Sequence, residues 1–196
     1  HIVTVNGATL NVGQAVTLSI DTNTRTLTRA NHSATHLLHA ALRKVLGDHV
    51  TQKGSLVNAE KLRFDFAHQK GLSVDELQMI ETMVNDEVMA NNAVTTQLMN
   101  KDDAVSAGAM ALFGEKYDEE VRVLTMGSKP TDQPHAFSVE LCGGTHTTHT
   151  GDIGLFKITS ESAVSSGVRR LEAVTNNNAI AHVNEQLSIL DTIASV

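Results

Sequence analysis

Leu141-Cys142-Gly143-Gly144-Thr145-His146 is the stretch around which we expect the fold to be organised. It contains the only cysteine of the 196-residue chain, and a histidine follows four positions later. The two glycines between them allow the backbone to fold tightly, so that both side chains can point at one position. A single cysteine is more often a small buried apolar residue than a ligand. By itself, one Cys with one His makes only half of a metal site.

A second half-site lies far upstream, in Asn31-His32-Ser33-Ala34-Thr35-His36. If this segment is helical, His32 and His36 lie one turn apart on the same face. Together with Cys142 and His146, they make a tetrahedral set of four ligands that suits zinc. Because the combination is much more specific than either half, we predict a metal centre formed by these four residues.

The composition describes a chain that can bury a sizeable core. At 196 residues and 41% hydrophobic residues, the chain is long enough for one domain or slightly more. Aromatic residues make up only 3%, so aliphatic side chains and Met must fill the core. One cysteine excludes an internal disulfide framework and fits a reducing cytoplasm. The sequence shows no signal peptide and no apolar run of about 18–20 residues, so we expect no membrane association.

The net charge of −7 argues against nonspecific adhesion to nucleic acid. A nucleic-acid partner would have to bind a local basic patch. The chain starts at His1 with strand-like sequence, and we therefore expect it to be a piece of a longer protein.

The pattern of apolar residues predicts an α+β fold, in which helices pack on a mainly antiparallel sheet. Asn6-Gly7 predicts a tight turn, and the alternation over residues 15–20 predicts a strand. We expect residues 1–28 to be the C-terminal part of a small β-barrel. Asn31 is expected to cap a helix that stops at Gly47.

The rest of the chain alternates between strand-like and helix-like segments. Ser73 and Glu76 are spaced as a capping box and predict the start of a helix, and a short helix is expected at 102–108. After a polar break at 176–178, apolar residues at spacings of three and four predict a helix. We expect this helix to lead to a missing C-terminal domain, with a coiled-coil pairing as the alternative. Residues 29–175 would then be a zinc-containing domain, with the linker helix at 176–196. Strands are predicted at 55–57, 62–66, 94–98, 121–126, 153–159 and 167–174.

Six segments of the sequence, in this order, resemble the editing domain of alanyl-tRNA synthetases. The two half-sites also resemble threonyl-tRNA synthetase editing domains and freestanding alanyl editing proteins, but Gly-Glu-Lys-Tyr at 114–117 favours the bacterial alanyl type. Residues 128–135 are longer than the family pattern, and we interpret them as a solvent loop. The six segments are 31–42, 52–57, 62–66, 108–117, 141–146 and 151–154.

The resemblance implies that the chain hydrolyses alanine tRNA wrongly esterified with serine or glycine. A pocket for alanine cannot reject the smaller glycine by size, and it excludes one extra hydroxyl poorly, so a second, hydrolytic site is needed. The implied partners are mischarged alanine tRNA and the remaining domains of the synthetase. The aminoacylation domain is outside these residues, so we expect the chain neither to bind ATP nor to activate alanine.

The resemblance also assigns roles to individual residues. His32, His36, Cys142 and His146 match the zinc ligands of the family, and His39 is expected to be a surface residue outside the site. Thr35 and Gln52 match residues of the editing pocket, and the alternative is that Thr35 packs in the helix and Gln52 lies on a strand surface. Arg169 and Arg170 match a pair of arginines that the family has in the same strand. We expect Arg169 to contact tRNA phosphates or bases, and the alternative is an ion pair with Glu161 or Glu172.

Two interpretations of the metal remain open. A catalytic zinc keeps one position for water and lowers the pKa of that water to about 7. Four protein ligands instead close the site, so zinc would shape the pocket and a neighbouring group or the ribose of the substrate would activate water. The rival function is a structural zinc module that positions tRNA without chemistry. A zinc peptidase is disfavoured because no glutamate lies between His32 and His36.

Overall fold

The computed structural model describes residues 4–7, 9, 11–110, 119–129 and 135–195. The predictions for the first three residues, for most of the 108–117 segment and for the greater part of the long loop at 128–135 fall outside these ranges. Within them, no helix combines the length and the apolar character needed to cross a bilayer.

The longest helix, α1 (Thr22–Leu46), runs through the centre of the fold. Its N-cap is Asp21, whose carboxylate accepts a hydrogen bond from the backbone N–H of Thr24. Residues 30–42 are all buried except His32, which is half-buried. Burial around the whole circumference is typical of a core helix.

The predicted start of α1 is wrong. Asn31 is not an N-cap but lies inside the helix, where its side chain donates to the carbonyl oxygen of Asn58 at 2.9 Å and accepts from the Thr175 hydroxyl at 2.8 Å. In the Thr-rich first turns, Thr26 and Thr28 donate their hydroxyls to carbonyl oxygens four residues earlier, so these hydroxyls find their partners within the helix.

The predicted strand at 15–20 is also wrong, since these residues form neither strand nor helix. The alternation of apolar residues there finds no partner strand in the described part of the chain. Residues 22–28 belong to α1 and not to a barrel, and for the residues before them the assignment stays a prediction.

Two antiparallel sheets, instead of the one expected, complete the α+β fold. The first sheet has the strand order β1-β2-β7-β6, and the second has the order β3-β4-β5. Neighbouring strands pair antiparallel throughout both sheets. The strands are β1 (Gln52–Val57), β2 (Leu62–Ala67), β3 (Thr95–Asn100), β4 (Glu120–Met126), β5 (Ser138–Leu141), β6 (Phe156–Ser165) and β7 (Val168–Thr175).

The remaining helices are α2 (Val74–Ala90), α3 (Lys101–Ser106), a 3-10 turn at Thr150–Ile153 and α4 (Asn176–Ala194). The capping box at the start of α2 is confirmed, because the Ser73 side chain and the Glu76 side chain each accept the other's backbone N–H. Two segments that lie between predicted elements are regular instead. Strand β6 continues through residues 160–165, between the two predicted strands, and α4 begins directly at Asn176, inside the predicted polar break.

The main core lies between α1, α2 and the first sheet, where Leu38, Phe64 and Phe156 are fully buried. A smaller apolar cluster that includes Val123 and Leu141 packs α3 against the second sheet. Helix α1 contacts β2 and β7 of the first sheet and β5 of the second. It therefore carries its side chains to the end of β5, where Cys142 follows.

One ion pair joins the middle of the first sheet. Asp65 on β2 lies opposite Arg170 on β7, and the guanidinium donates Nε to Oδ1 at 2.7 Å and Nη2 to Oδ2 at 2.8 Å. The hydrogen bond from Arg170 lowers the pKa of Asp65 from its usual 3.8, although burial acts in the opposite direction.

We predict that Asp65→Asn lowers the unfolding temperature by a few degrees near neutral pH, since an amide cannot accept both charged hydrogen bonds. The pKa of Asp65 is lower in the folded than in the unfolded protein. Its ionised form therefore stabilises the fold above the unfolded pKa, and this contribution is lost as pH falls through the folded pKa. The difference in unfolding temperature between wild type and variant should accordingly shrink below about pH 4.

Calorimetry across this pH range measures the difference. Asp191→Asn, which changes an exposed carboxylate near the end of α4, is the matched control and should leave the unfolding temperature unchanged. A gap between wild type and Asp65→Asn that does not vary with pH would contradict the prediction.

Candidate metal centre

The structure brings together the four residues that the sequence predicts as metal ligands. His32 and His36 lie one turn apart on α1, Cys142 directly follows β5, and His146 lies in the loop beyond it. One possible ligand atom from each of the four lies within 4.8 Å of the others. That these residues bind a metal stays a prediction, which their geometry supports.

The distances around the Cys142 sulfur suit a tetrahedral zinc ion. Sγ lies 3.7 Å from Nε2 of His32 and 3.3 Å from Nε2 of His146. Zn–N bonds of about 2.0–2.1 Å and Zn–S bonds of about 2.3 Å place the nitrogen and sulfur ligands of a tetrahedron roughly 3.6 Å apart. Three imidazole nitrogens and one thiolate are also a donor set that zinc prefers.

The buried Nε2 atom of His36 points to the same conclusion. It has no hydrogen-bond partner within the described residues, whereas Nδ1 lies 2.8 Å from Oε2 of Glu140. An unsatisfied buried polar atom costs about 1–3 kcal/mol, and ligation of a metal through Nε2 would satisfy it. Histidine ligands typically use their second ring nitrogen to donate to a carboxylate, as His36 does here.

Ser33 ties the His146 loop to α1. Its hydroxyl oxygen is buried, accepts the backbone N–H of Thr147 at 3.1 Å and lies 3.3 Å from Nδ1 of His146. When this nitrogen donates to Ser33, the Nε2 atom of His146 is left with its lone pair toward the cluster.

The turn between Cys142 and His146 is held by Arg122 of β4. Its Nη1 atom donates to the carbonyl oxygens of Cys142 at 2.9 Å and Gly144 at 2.7 Å. The backbone N–H of Gly144 donates back to the sulfur at 3.4 Å. These contacts fix the direction in which the thiol points.

The ionisation of Cys142 and His146 favours metal binding. Burial raises the pKa of Cys142, but the close contacts of its sulfur with His146 and His32, together with the nearby His36, outweigh burial and lower the pKa to about 3. The thiolate is the form of cysteine that binds metals. Burial lowers the pKa of His146, which keeps that imidazole neutral, as a ligand must be.

On the far side of His36, the Glu140 carboxylate is ionised. Burial raises the pKa of Glu140, but the charge and the hydrogen bond of His36 dominate and lower it to about 2. Burial lowers the pKa of His36, yet the charge of Glu140 raises it to about 10. Without a metal, these contacts favour the protonated form of His36, so a metal that binds at Nε2 must displace the proton there.

Sequence reasoning missed Glu140 and was wrong about His39. His39 is not a surface residue: it is 1% exposed, and its Nδ1 atom lies 3.2 Å from Oε1 of Glu140. A usable signal was present, because an acidic residue two positions before Cys142 in an apolar segment needs buried partners. His36 and His39, three positions apart on one helix, can reach the same carboxylate.

The other candidate residues lie in local contacts. Thr35 is 5% exposed and donates its hydroxyl to the carbonyl oxygen of Asn31 at 2.8 Å. Gln52 is half-buried and begins β1, a strand that contacts α1. Arg169 donates to Glu161 through Nε at 2.5 Å and Nη2 at 2.6 Å, which is the ion pair of the alternative interpretation. Roles of Thr35 and Gln52 in a pocket, and of Arg169 in tRNA binding, stay predictions.

Comparison with known proteins places this geometry in a family context. Residues 121–172 match the second additional domain of threonyl and alanyl tRNA synthetases. The whole chain is similar to alanine–tRNA ligases, with 55% identity over 195 residues to that of Parvibaculum lavamentivorans and 56% over 200 residues to that of Nitrobacter winogradskyi. The alignments cover 100% and 99% of this chain but only 22% of each relative. The ligase of Rhodopseudomonas palustris is 54% identical over 198 residues, and the alignment again covers 22% of the relative.

Gly144 provides a test of the cluster geometry. A Cβ atom on Gly144 would lie 2.8 Å from Nδ1 of His32 and closer still to Cε1, whereas a Cβ on Gly143 would meet no atom within 4 Å. We predict that Gly144→Ala displaces His32 and weakens zinc binding by about tenfold or more.

Gly143→Ala is the matched control and should bind zinc as the wild type does. Titration of zinc against a competing chelator, with circular dichroism to verify folding, measures both variants. Equal zinc affinity of Gly144→Ala and Gly143→Ala would contradict the placement of His32 at the metal.

Proposed function

We propose that this chain, which is homologous over its whole length to one segment of alanine–tRNA ligases, is their editing part and hydrolyses the ester of mischarged alanine tRNA. The observation that carries the proposal is the His32, His36, Cys142 and His146 cluster. The matched family residues, 121–172, contain only the Cys142 half of it, and α1 supplies the other half. The aminoacylation activity of the relatives is no part of this proposal, since the chain spans 22% of their length.

The proposed substrates are alanine tRNA esterified with serine and with glycine. Neither is well excluded by a pocket that must accept alanine, because glycine is smaller and serine adds only one hydroxyl. Hydrolysis at a separate site supplies the discrimination that binding alone lacks.

The proposed metal is zinc, held by the four residues of the cluster. A bound zinc would supply positive charge that can polarise a carbonyl group or a water molecule. Four protein donors favour a closed site. We therefore propose that the ligands organise the pocket and that a neighbouring group or the ribose hydroxyl of the substrate activates the water.

The contacts of Thr35 suggest how serine is recognised. The hydroxyl proton is donated to the carbonyl oxygen of Asn31, so the oxygen of Thr35 presents lone pairs only. It can accept a hydrogen bond from the hydroxyl of a serine ester, but a glycine ester offers none. Gln52 carries both a donor and an acceptor, and we propose that it holds the ester carbonyl.

The proposed site of tRNA contact is Arg169 on β7. Its guanidinium is held by Glu161 through two of its nitrogens, which orients it without using all five of its donors. An arginine fixed in this way can donate to phosphate or base acceptors. The remaining domains of the ligase are the other proposed partner, and a thiolate ligand fits a reducing cytoplasm.

A structural zinc module that positions tRNA is the second candidate, and the closed set of four protein ligands favours it. It requires the same ligands but neither Thr35 nor Gln52. Hydrolysis assays therefore separate the two functions.

We predict that the isolated chain deacylates alanine tRNA that carries serine but not alanine tRNA that carries alanine. Chelator treatment and Cys142→Ala should each reduce hydrolysis to the background rate, because both remove the thiolate–metal contact. Release of radiolabelled serine measures the reaction. Full activity of Cys142→Ala would contradict the proposal, whereas a folded, zinc-loaded and inactive wild type would favour the structural module.

Thr35→Val keeps the shape of the side chain but removes the hydroxyl oxygen. We predict that it slows hydrolysis of the serine ester by about 3–10-fold, the equivalent of one lost hydrogen bond, and leaves hydrolysis of the glycine ester unchanged. Gln52→Ala should slow both esters, since the carbonyl is common to them. An equal effect of Thr35→Val on both esters would show that Thr35 acts through packing alone.

A further inference from the structure

We propose that Glu140 is a positioning residue that presents His36 to the metal, with His39 as a second anchor of the same carboxylate. The inference rests on the zinc of the proposed function but not on its hydrolytic activity. Neither residue belongs to the four-ligand cluster.

Glu140 is a buried carboxylate that divides its oxygens between two histidines. It lies in β5 and is 4% exposed. Oε2 is 2.8 Å from Nδ1 of His36, and Oε1 is 3.2 Å from Nδ1 of His39. A carboxylate has no proton to donate, so both histidines must donate from Nδ1.

This donation determines which nitrogen of His36 is available. A neutral imidazole carries one proton, and at His36 the contact with Glu140 keeps that proton on Nδ1. Nε2, on the side of the cluster, is then left with its lone pair. The same carboxylate holds the ring in the orientation that a ligand needs and makes it a stronger base.

His39 acts on Glu140 from the other side. Its ring packs against Phe64 with 5.1 Å between centroids, and its Nε2 atom is buried without a partner in the described part of the chain. Its Nδ1 contact keeps the second oxygen of Glu140 in place. The carboxylate therefore cannot rotate away from His36 without breaking the bond to His39.

A glutamine at position 140 would disturb this arrangement with little change of shape. Its amide oxygen can accept from one histidine only, and its NH₂ group would face the other as a donor. If the amide oxygen faces His39, His36 loses the acceptor for its Nδ1 proton. If it faces His36, the proton of His39 must move from Nδ1 to Nε2. The negative charge behind His36 is lost in both cases.

The chain offers a matched control in Glu87. This carboxylate is 7% exposed and accepts the backbone N–H of Ser128 at 2.6 Å and its hydroxyl at 2.5 Å, but it contacts no member of the cluster in the described residues. Glu87→Gln therefore neutralises a buried carboxylate that accepts two hydrogen bonds, as Glu140→Gln does, but at a position that contacts none of the four candidate metal ligands.

The test is zinc affinity of the chelator-stripped chain, measured by titration against a competing chelator. Glu140→Gln should bind zinc about 10–100-fold more weakly than the wild type, while Glu87→Gln binds it equally well even if its unfolding temperature falls. Glu140→Gln with an affinity within about twofold of the wild type would overturn the inference. A wild type that binds no zinc would overturn both the inference and the proposed metal, but zinc binding without hydrolysis would contradict the proposed activity alone.

A second measurement needs no variant. Nitrogen-15 NMR of the zinc-loaded wild type reports which ring nitrogen of each histidine is protonated. We expect protonated Nδ1 at both His36 and His39. An unprotonated Nδ1 at His36 would overturn the inference even if Glu140→Gln fails to fold.

Discussion

A helix that is buried on all sides must satisfy the polar side chains that it carries, and this constraint shapes the whole site. Residues 30–42 of α1 include five buried polar side chains, and an unpaired one would cost about 1–3 kcal/mol. Thr35 finds its partner inside α1, at the carbonyl oxygen of Asn31. Neighbouring segments supply the partners of the other four: Thr175 and Asn58 for Asn31, the His146 loop for Ser33, and Glu140 for His36 and His39. The hydrogen bonds that stabilise α1 thus also orient the candidate ligands.

The same helix explains how two distant parts of the sequence form one site. Helix α1 packs against the first sheet through its apolar side chains and contacts β5 of the second sheet. The cysteine half-site follows β5, and Arg122 on the adjacent β4 holds its turn. The candidate metal centre therefore lies where the two sheets meet the helix.

Sequence reasoning predicted which four side chains come together better than it predicted their surroundings. His32, His36, Cys142 and His146 were recognisable from their spacing and from a family resemblance that the comparisons support. Most strands and α2 were also predictable, because alternation and a capping box are local signals. Three features escaped: the early start of α1, the four-residue strand β5 and the burial of His39. The start of α1 rests on local contacts, such as the Asp21 cap, that the apolar pattern does not show. The strand β5 and the burial of His39 depend instead on tertiary partners, such as Glu140 for His39.

The turn held by Arg122 has a consequence for how a metal would enter. The hydrogen bonds of Arg122 to two carbonyl oxygens, and of Ser33 to the His146 loop, involve only protein groups. The conformational entropy of arranging the ligands is therefore lost when the chain folds and not when the ion arrives. In small zinc fingers, by contrast, metal binding and folding are a single transition. Here the ion would bind to ligands that folding has already positioned. The fraction of chains with bound zinc would then depend on the concentration of free zinc and not on whether zinc was present during folding.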